Sequence, residues 1–156
     1  MPTAYRANTS LVAGLWLSSL PGLNSGMVAT RLPEKAEENP SLASSGFVTY
    51  KTVGGTPNMY VPEREPVLQI NCYGFPPATG SRRPQWAVAN GLAENIAAAC
   101  QTTASFNATL ALPTGYSHAR VQQAHLLSEP REVYGDRAYW AIYQFDLQLY
   151  WVDLLT

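Results

Sequence analysis

The chain has 156 residues, the usual size of one domain, and is long enough to bury most of the surface that its unfolded form exposes. Its aromatic content of 11% and net charge of −1 exclude a chain that is disordered throughout. Charged residues are only 13% of the sequence, against about a quarter in an average globular protein. We therefore expect part of the folded surface to be covered by other subunits.

The charge balance and the apolar pattern exclude further classes of protein. Ten basic and eleven acidic residues give no overall attraction to nucleic acid. Polar residues interrupt every apolar stretch before the roughly 18–20 residues that a transmembrane helix needs, so no membrane partner is expected. The first residues lack the pattern of a signal peptide, which predicts synthesis in the cytosol. Cys72 and Cys100 lie on apolar stripes and are predicted to be buried free thiols.

Apolar spacing in the first part of the chain predicts a helix over residues 3–20, ended by Pro21-Gly22. A short strand is predicted over residues 27–32. Prolines, acidic residues and serines without apolar periodicity then predict a solvated loop over residues 33–46. β-Branched and aromatic residues predict a second strand over residues 47–53.

Residues 54–66 begin with two glycines and contain three prolines. This segment is longer than the usual hairpin connection of about two to five residues, so we expect it to form a projecting arm. Residues 67–73 alternate apolar and polar side chains, as a half-buried strand requires. The spacing of apolar residues from Pro84 to Gln101 predicts a helix with one face on a sheet.

The last part of the chain predicts a polar loop over residues 102–115 and strands over residues 120–127 and 138–151. The final strand would span roughly 46 Å, so part of it is expected to meet a neighbouring chain. The predicted fold class is α+β: a mostly antiparallel sheet of about five strands, with two main helices packed on one face, in the order α-β-β-β-α-β-β.

No residue set in the sequence has the pattern of a catalytic, cofactor-binding or metal-binding site. His118 and His125 are seven residues apart, on the predicted strand over residues 120–127 and its approach, which is too far to share a metal ion. Gly54-Gly55 lacks the further glycines and the lysine of a phosphate loop. Glu63 and Glu65 are interpreted as solvated charges of the arm. We therefore expect no cofactor and no enzymatic activity.

Apolar residues on the arm and on the last strand are the candidate subunit contacts. On that strand, alternation places three residues opposite Phe145, where either a helix of the same chain or another subunit covers them. The predicted interface residues are Met59, Tyr60, Val61, Trp140, Ile142 and Tyr150. Arg82 and Arg83 precede the second long helix and either contact an acidic group of a partner or are solvated.

Several segments together resemble the tail terminator proteins of long-tailed bacteriophages. The resemblance covers nearly the whole chain, about residues 4–155. It depends on the order and the residue pattern of its segments rather than on a catalytic motif. The segments, in chain order, are WLSSLPGL, MVATRLP, GFVTYKTVGG, EREPVLQINCYG, SRRPQWAVANGLAENIAAAC and REVYGDRAYWAIYQFDLQLYW.

The resemblance implies one α+β domain over residues 1–156, with the loop at 33–46 and the arm at 54–66. It implies a homo-oligomeric ring, usually a hexamer, at the head-proximal end of the tail tube. There the ring would stop polymerisation of the major tail tube protein and contact head-completion or connector proteins. The expected location is the tail–head junction of the virion, after assembly in the cytoplasm of the host bacterium. DNA would pass through the ring without specific binding, since tight phosphate contacts would slow its passage.

Two alternatives remain at this stage. The chain could be another neck component, such as a head-completion or tail-completion protein. From a different class, it could be a small-molecule enzyme or binding module, which would need a deep pocket lined by convergent polar groups.

Overall fold

The computed structural model describes residues 5–77, 83–135 and 137–154. Within these ranges the chain forms an α+β fold with three α-helices and eight β-strands. The helices are α1 (Thr9–Ser19), α2 (Pro40–Ser45) and α3 (Trp86–Ala99). The strands are β1 (Val28–Ala29), β2 (Phe47–Gly55), β3 (Glu63–Arg64), β4 (Pro66–Gly74), β5 (Thr109–Leu110), β6 (His118–Leu126), β7 (Arg131–Val133) and β8 (Ala141–Leu154). None of the helices in these ranges is long and apolar enough to cross a membrane.

All eight strands belong to one mixed sheet with the order β1-β2-β4-β8-β6-β5, and β3 and β7 each pair with β8. The β1–β2 pair is parallel, and the other pairs are antiparallel. The predicted α+β class is confirmed, but the prediction of about five mostly antiparallel strands and two helices is corrected. The strands missed are β3, β5 and β7, which are too short to show a hydrophobic period.

Strand β8 lies in the middle of the sheet and is paired on both sides by its own chain. On one side, β4 pairs with its first half and β3 with Trp151 and Val152. On the other side, β7 pairs with residues 142–144 and β6 with residues 147–154. The length of β8 is therefore used for pairing within the subunit, and contact of this strand with a neighbouring chain stays a prediction.

Helices α1 and α3 cover one face of the sheet and enclose the main hydrophobic core. The predicted alternation in β8 is confirmed, since Phe145, Leu147 and Leu149 are fully buried and the residues between them are only half-buried. Trp16 from α1 and Ile96 from α3 pack into the same core. Burial of each such side chain contributes about 1.5–3 kcal/mol, which makes this layer the main source of stability.

Residues 33–46 differ from the predicted solvated loop. They contain a 3-10 helical turn at Ala36–Glu38 and the six-residue helix α2. Asn39 caps α2 by accepting a hydrogen bond from the Ser41 amide at 3.0 Å, and a proline occupies the first turn, where its missing N–H costs nothing. Leu42 is buried in a second hydrophobic cluster with Phe75. The segment covers one end of the sheet face that lies opposite α1 and α3.

The two cysteines are free, and burial raises the pKa of both thiols. Cys72 is fully buried in β4, and Cys100, just after α3, is partly buried and has a pKa of about 11. The prediction of free thiols is therefore confirmed.

We expect the stability of the protein to fall as the pH rises from about 9 to about 11. Below pH 9 the thiols are protonated in both states, whereas above it the unfolded chain releases protons that the folded chain still holds. Tyr50, whose pKa burial also raises, acts in the same direction. Urea unfolding across this range measures the decline, which should be smaller in Cys100→Ser. Identical pH profiles for the two proteins would contradict the assignment.

Candidate interaction surface

The arm predicted between β2 and β4 has a defined shape. Strand β2 continues to Gly55, and β3 returns along the end of β8 before β4 begins at Pro66. Residues 56–62 therefore form the connection at the end of the arm, which we call the arm tip.

A single side chain organises the backbone of the arm tip. The side-chain oxygen of Asn58 accepts hydrogen bonds from the amides of Tyr60 at 2.9 Å and Val61 at 3.3 Å. Its side-chain nitrogen is 3.5 Å from Oε1 of Glu65 on the returning half of the arm. This type of side-chain turn fixes the chain direction locally. The tip thus has a defined conformation without contact with the main core.

The apolar side chains of the arm tip face solvent. Met59 is 85% exposed and Tyr60 is 89% exposed, while Val61 is 48% exposed. Val53, on the outgoing strand, is 50% exposed, and the sequence analysis did not identify it. Full burial of an apolar side chain contributes about 1.5–3 kcal/mol, so this group would gain most of that free energy only in a complex.

The returning half of the arm is fixed to β8. Arg64 pairs with Trp151 across the two strands, and its guanidinium carbon lies 5.2 Å from the centre of the indole ring. The Gln148 amide donates to the backbone carbonyl of Glu65 at 3.4 Å. Such contacts reduce the loss of conformational entropy when the tip binds a partner.

We expect Gly55→Ala to destabilise the base of the arm by about 2 kcal/mol. Gly55 has φ of +116°, and an added Cβ would lie 2.5 Å from the Glu65 carbonyl oxygen. Gly54→Ala is the matched control, because a Cβ at that position meets nothing within 4 Å. Urea unfolding of both variants measures the difference, and equal losses of stability would show that the close approach at Gly55 is unimportant.

Trp140 and Ile142 are not on the candidate surface, and their assignment to a subunit contact is corrected. Trp140 packs edge-on against the ring of Phe75, with centroids 5.0 Å apart, and its indole N–H donates to Glu37 at 3.2 Å. Ile142 is only 8% exposed. For Trp140, the physical reason is that residues 33–46, predicted to be solvated, pack against it at this end of the sheet.

Glu37 holds the covering segment in place, and the sequence analysis did not identify it. Its carboxylate accepts hydrogen bonds from Arg137 at 2.8 Å and from the Tyr139 hydroxyl at 3.0 Å, in addition to the bond from Trp140. Charge-assisted bonds of this kind are stronger than neutral ones. The three donors lie about a hundred residues later in the chain, so no local pattern could reveal the cluster.

Tyr150 lies on the open face of the sheet, away from α1 and α3. It is half-buried, with its ring 5.4 Å from that of His125 and its hydroxyl donating to Gln148 at 3.1 Å. On the same face, Gln144 donates to Asn71 at 2.9 Å. The centre of this face is therefore a set of hydrogen-bonded polar side chains, and Tyr150 belongs to it rather than to an apolar end.

The remaining candidates are placed as follows. Arg82 lies outside the described residues, and Arg83 is exposed just before α3. His118 and His125 are exposed near opposite ends of β6. The described part of the chain contains no group of three or more His, Cys, Asp or Glu side chains that could hold a metal ion.

Two further exposed apolar residues flank β7. Leu127 is 52% exposed and Tyr134 is 81% exposed. Each stands alone among turn residues, so periodicity gave no signal for either. Each is a single exposed side chain, whereas the arm tip presents three consecutive apolar residues.

No protein-family model matches the chain, and a search of curated proteins finds no match either.

Proposed function

We propose that this protein is a structural subunit that assembles into a ring and serves as a tail terminator of a long-tailed bacteriophage. In this role the ring caps the head-proximal end of the tail tube, ends tube polymerisation and joins the tube to head-completion proteins. The observation that carries the proposal is the anchored arm with its exposed apolar tip, in a chain with only 13% charged residues.

The arm supports assembly because its tip is ordered and yet unburied. Tyrosine is one of the residues enriched among interface hot spots, and when it is desolvated at the centre of an interface it can contribute about 2 kcal/mol or more, which makes Tyr60 the main candidate. A stable interface also needs about 1,000 Å² of buried surface in total, so the tip supplies the anchoring contacts and neighbouring surface supplies the remaining area.

The outer edge of β2 supports the proposal as a source of further contact. Strand β1 pairs only with Val48 and Thr49, so within the described ranges the edge of β2 from Tyr50 to Gly55 has no strand beside it. An unpaired strand edge can add main-chain hydrogen bonds from another chain. This edge leads directly into the arm, which places both contacts on one side of the subunit.

The terminator role itself is supported by the segments that resemble that family and by the low charge of the chain. Few charged groups suit a ring through which DNA passes, since phosphate contacts would retain the DNA. Arg83 is a candidate contact with the tube or with the head-side partner.

A tube-length experiment tests this function. The major tail tube protein is allowed to polymerise with and without the ring protein, and tube lengths are measured by negative-stain electron microscopy. We expect shorter tubes with a ring at one end only. Asn90→Asp, an exposed change on α3, is the control and should act like the wild type. Unchanged tube lengths with bare ends would contradict the terminator role.

A further inference from the structure

A groove of about 310 Å³ lies between the C-terminal end of α1 and the segment that follows α3. Every residue that lines it is uncharged. Its accessible apolar surface comes from Pro21, Ala104, Ala108 and Leu110, and the almost fully buried Trp16 and Val121 lie at its floor.

We infer that this groove receives the arm tip of a second copy of the chain, with the Tyr60 side chain as the main inserted group. The inference rests on the proposed ring and names the contact that closes it. Both surfaces of this contact then belong to the same kind of chain: the apolar arm tip of one copy and the apolar groove of the next.

The two surfaces agree in polarity and size. The arm tip has no charged residue between Pro57 and Pro62, and the groove has none in its lining, so association desolvates no ion. The groove volume is at the lower end of the range for ligand pockets, about 300–1,000 Å³, which suits one aromatic side chain rather than a helix. Burial of a tyrosine removes about 150–250 Å² from water.

The hydrogen-bonding groups of the groove suit a phenol. The Thr102 hydroxyl donates to the Ala98 carbonyl at 2.9 Å, and the Ser19 hydroxyl donates to the Trp16 carbonyl at 2.6 Å. The Ser105 carbonyl accepts from the Trp16 indole at 2.9 Å. These hydroxyl protons are thus used internally, while the oxygens keep lone pairs. The lining therefore offers acceptors to a group that brings its own proton, such as the Tyr60 hydroxyl.

The positions of the two surfaces favour a head-to-tail contact. Thr9, the first residue of α1, lines a different groove together with the base of the arm, whereas the receiving groove is at the other end of this helix. Eleven residues of helix extend about 16 Å. The base of the arm and the receiving groove thus lie at opposite ends of one helix, so each copy can give its tip to one neighbour and receive the tip of another. A head-to-tail contact of this kind forms a ring when the rotation between successive copies closes.

Disulfide trapping between different copies tests the contact. Met59→Cys and Ala104→Cys are made separately in a Cys100→Ser background, which keeps Tyr60 and leaves only the fully buried Cys72. One variant carries an affinity tag, and the two are mixed and oxidised. We expect a disulfide between the two variants that forms at least about tenfold faster than one between Met59→Cys and the control Ala87→Cys, an exposed position on α3.

Each alternative result has a separate meaning. A ring that gives no disulfide between positions 59 and 104, or no preference over position 87, overturns the groove contact and leaves the ring standing. Disulfides mainly between two copies of Met59→Cys would show that the tips meet each other and would also overturn it. A protein that stays monomeric overturns both the contact and the ring.

A groove-filling variant gives a second readout. Ala104 is exposed, so Ala104→Trp should leave the thermal unfolding temperature unchanged while it blocks the groove. We expect its self-association to weaken about tenfold or more, because insertion of the tip is prevented. Unchanged self-association would overturn the contact.

Discussion

Replacing Met59 and Tyr60 together by aspartate is expected to abolish the ring while the subunit stays folded. Both side chains are at least 85% exposed, so the change removes little packing within the subunit. In an interface, each aspartate would have to be desolvated in place of a favourable apolar contact. A loss of about 2 kcal/mol for each residue weakens every contact roughly 30-fold per substitution. Sedimentation velocity measures the assembly, and thermal unfolding measures the fold.

The matched control is Ser44→Asp with Asn90→Asp, which adds the same charge at exposed positions on α2 and α3. It should sediment like the wild type, which separates the effect of position from that of net charge. A double aspartate variant of the tip that sediments like the wild type would remove the arm from the interface.

Trp140→Asp is expected to have the opposite effect, a loss of stability without a specific loss of assembly. The indole packs against Phe75 and Tyr73 and donates a hydrogen bond to Glu37. Its removal exposes the second hydrophobic cluster and places a carboxylate close to another one. We expect a cost of about 3 kcal/mol, which corresponds to a decrease in Tm of roughly 6–12 °C for a domain of this size.

Thermal unfolding followed by circular dichroism measures this decrease, and sedimentation at low temperature tests whether the folded fraction still assembles. Tyr134→Asp is the control, since it replaces an aromatic residue that is 81% exposed in the same part of the chain. Its Tm should change little. An unchanged Tm for Trp140→Asp together with loss of the ring would restore Trp140 to the subunit contact.

The long elements could be predicted from the sequence because their patterns are repeated many times. Strand β8 alternates over most of its fourteen residues, and the apolar spacing of α3 places Ala89, Ala93 and Ile96 on one buried face. By contrast, β3 has two residues and β7 has three. They form strands because the edges of β8 are available there for backbone pairing. Such strands are products of tertiary structure and leave no local period.

The arm could be predicted because its glycines, its prolines and its length are local features of the sequence, whereas the turn that Asn58 organises is seen only in the structure. The covering of Trp140 could not be predicted from the sequence, because it depends on Glu37, which lies 103 residues earlier in the chain. Acidic residues between prolines are typical of a solvated loop, and only the folded chain brings this carboxylate to its donors. The sequence therefore indicated which residues are apolar on the last strand but not which of them the subunit itself covers.

The receiving groove was also beyond prediction, since it forms between α1 and a segment some eighty residues later. Trp16, which lies on the first predicted helix, is a core residue with only 1% of its surface exposed. The groove exists because small residues such as Ala104 and Ala108 follow α3 beside it. Small side chains leave space for a groove, but the hydrophobic periodicity of the sequence does not reveal such a space.

Native mass spectrometry of the purified protein tests most directly whether the sparsely charged surface and the arm serve self-assembly. The account predicts one closed species whose mass is a fixed multiple of the 17.0 kDa subunit, with six copies expected from the resemblance to tail terminators. The same species should be lost when the arm tip carries two aspartates. A mass of 17.0 kDa at every concentration, for the wild type and for that variant alike, would contradict it.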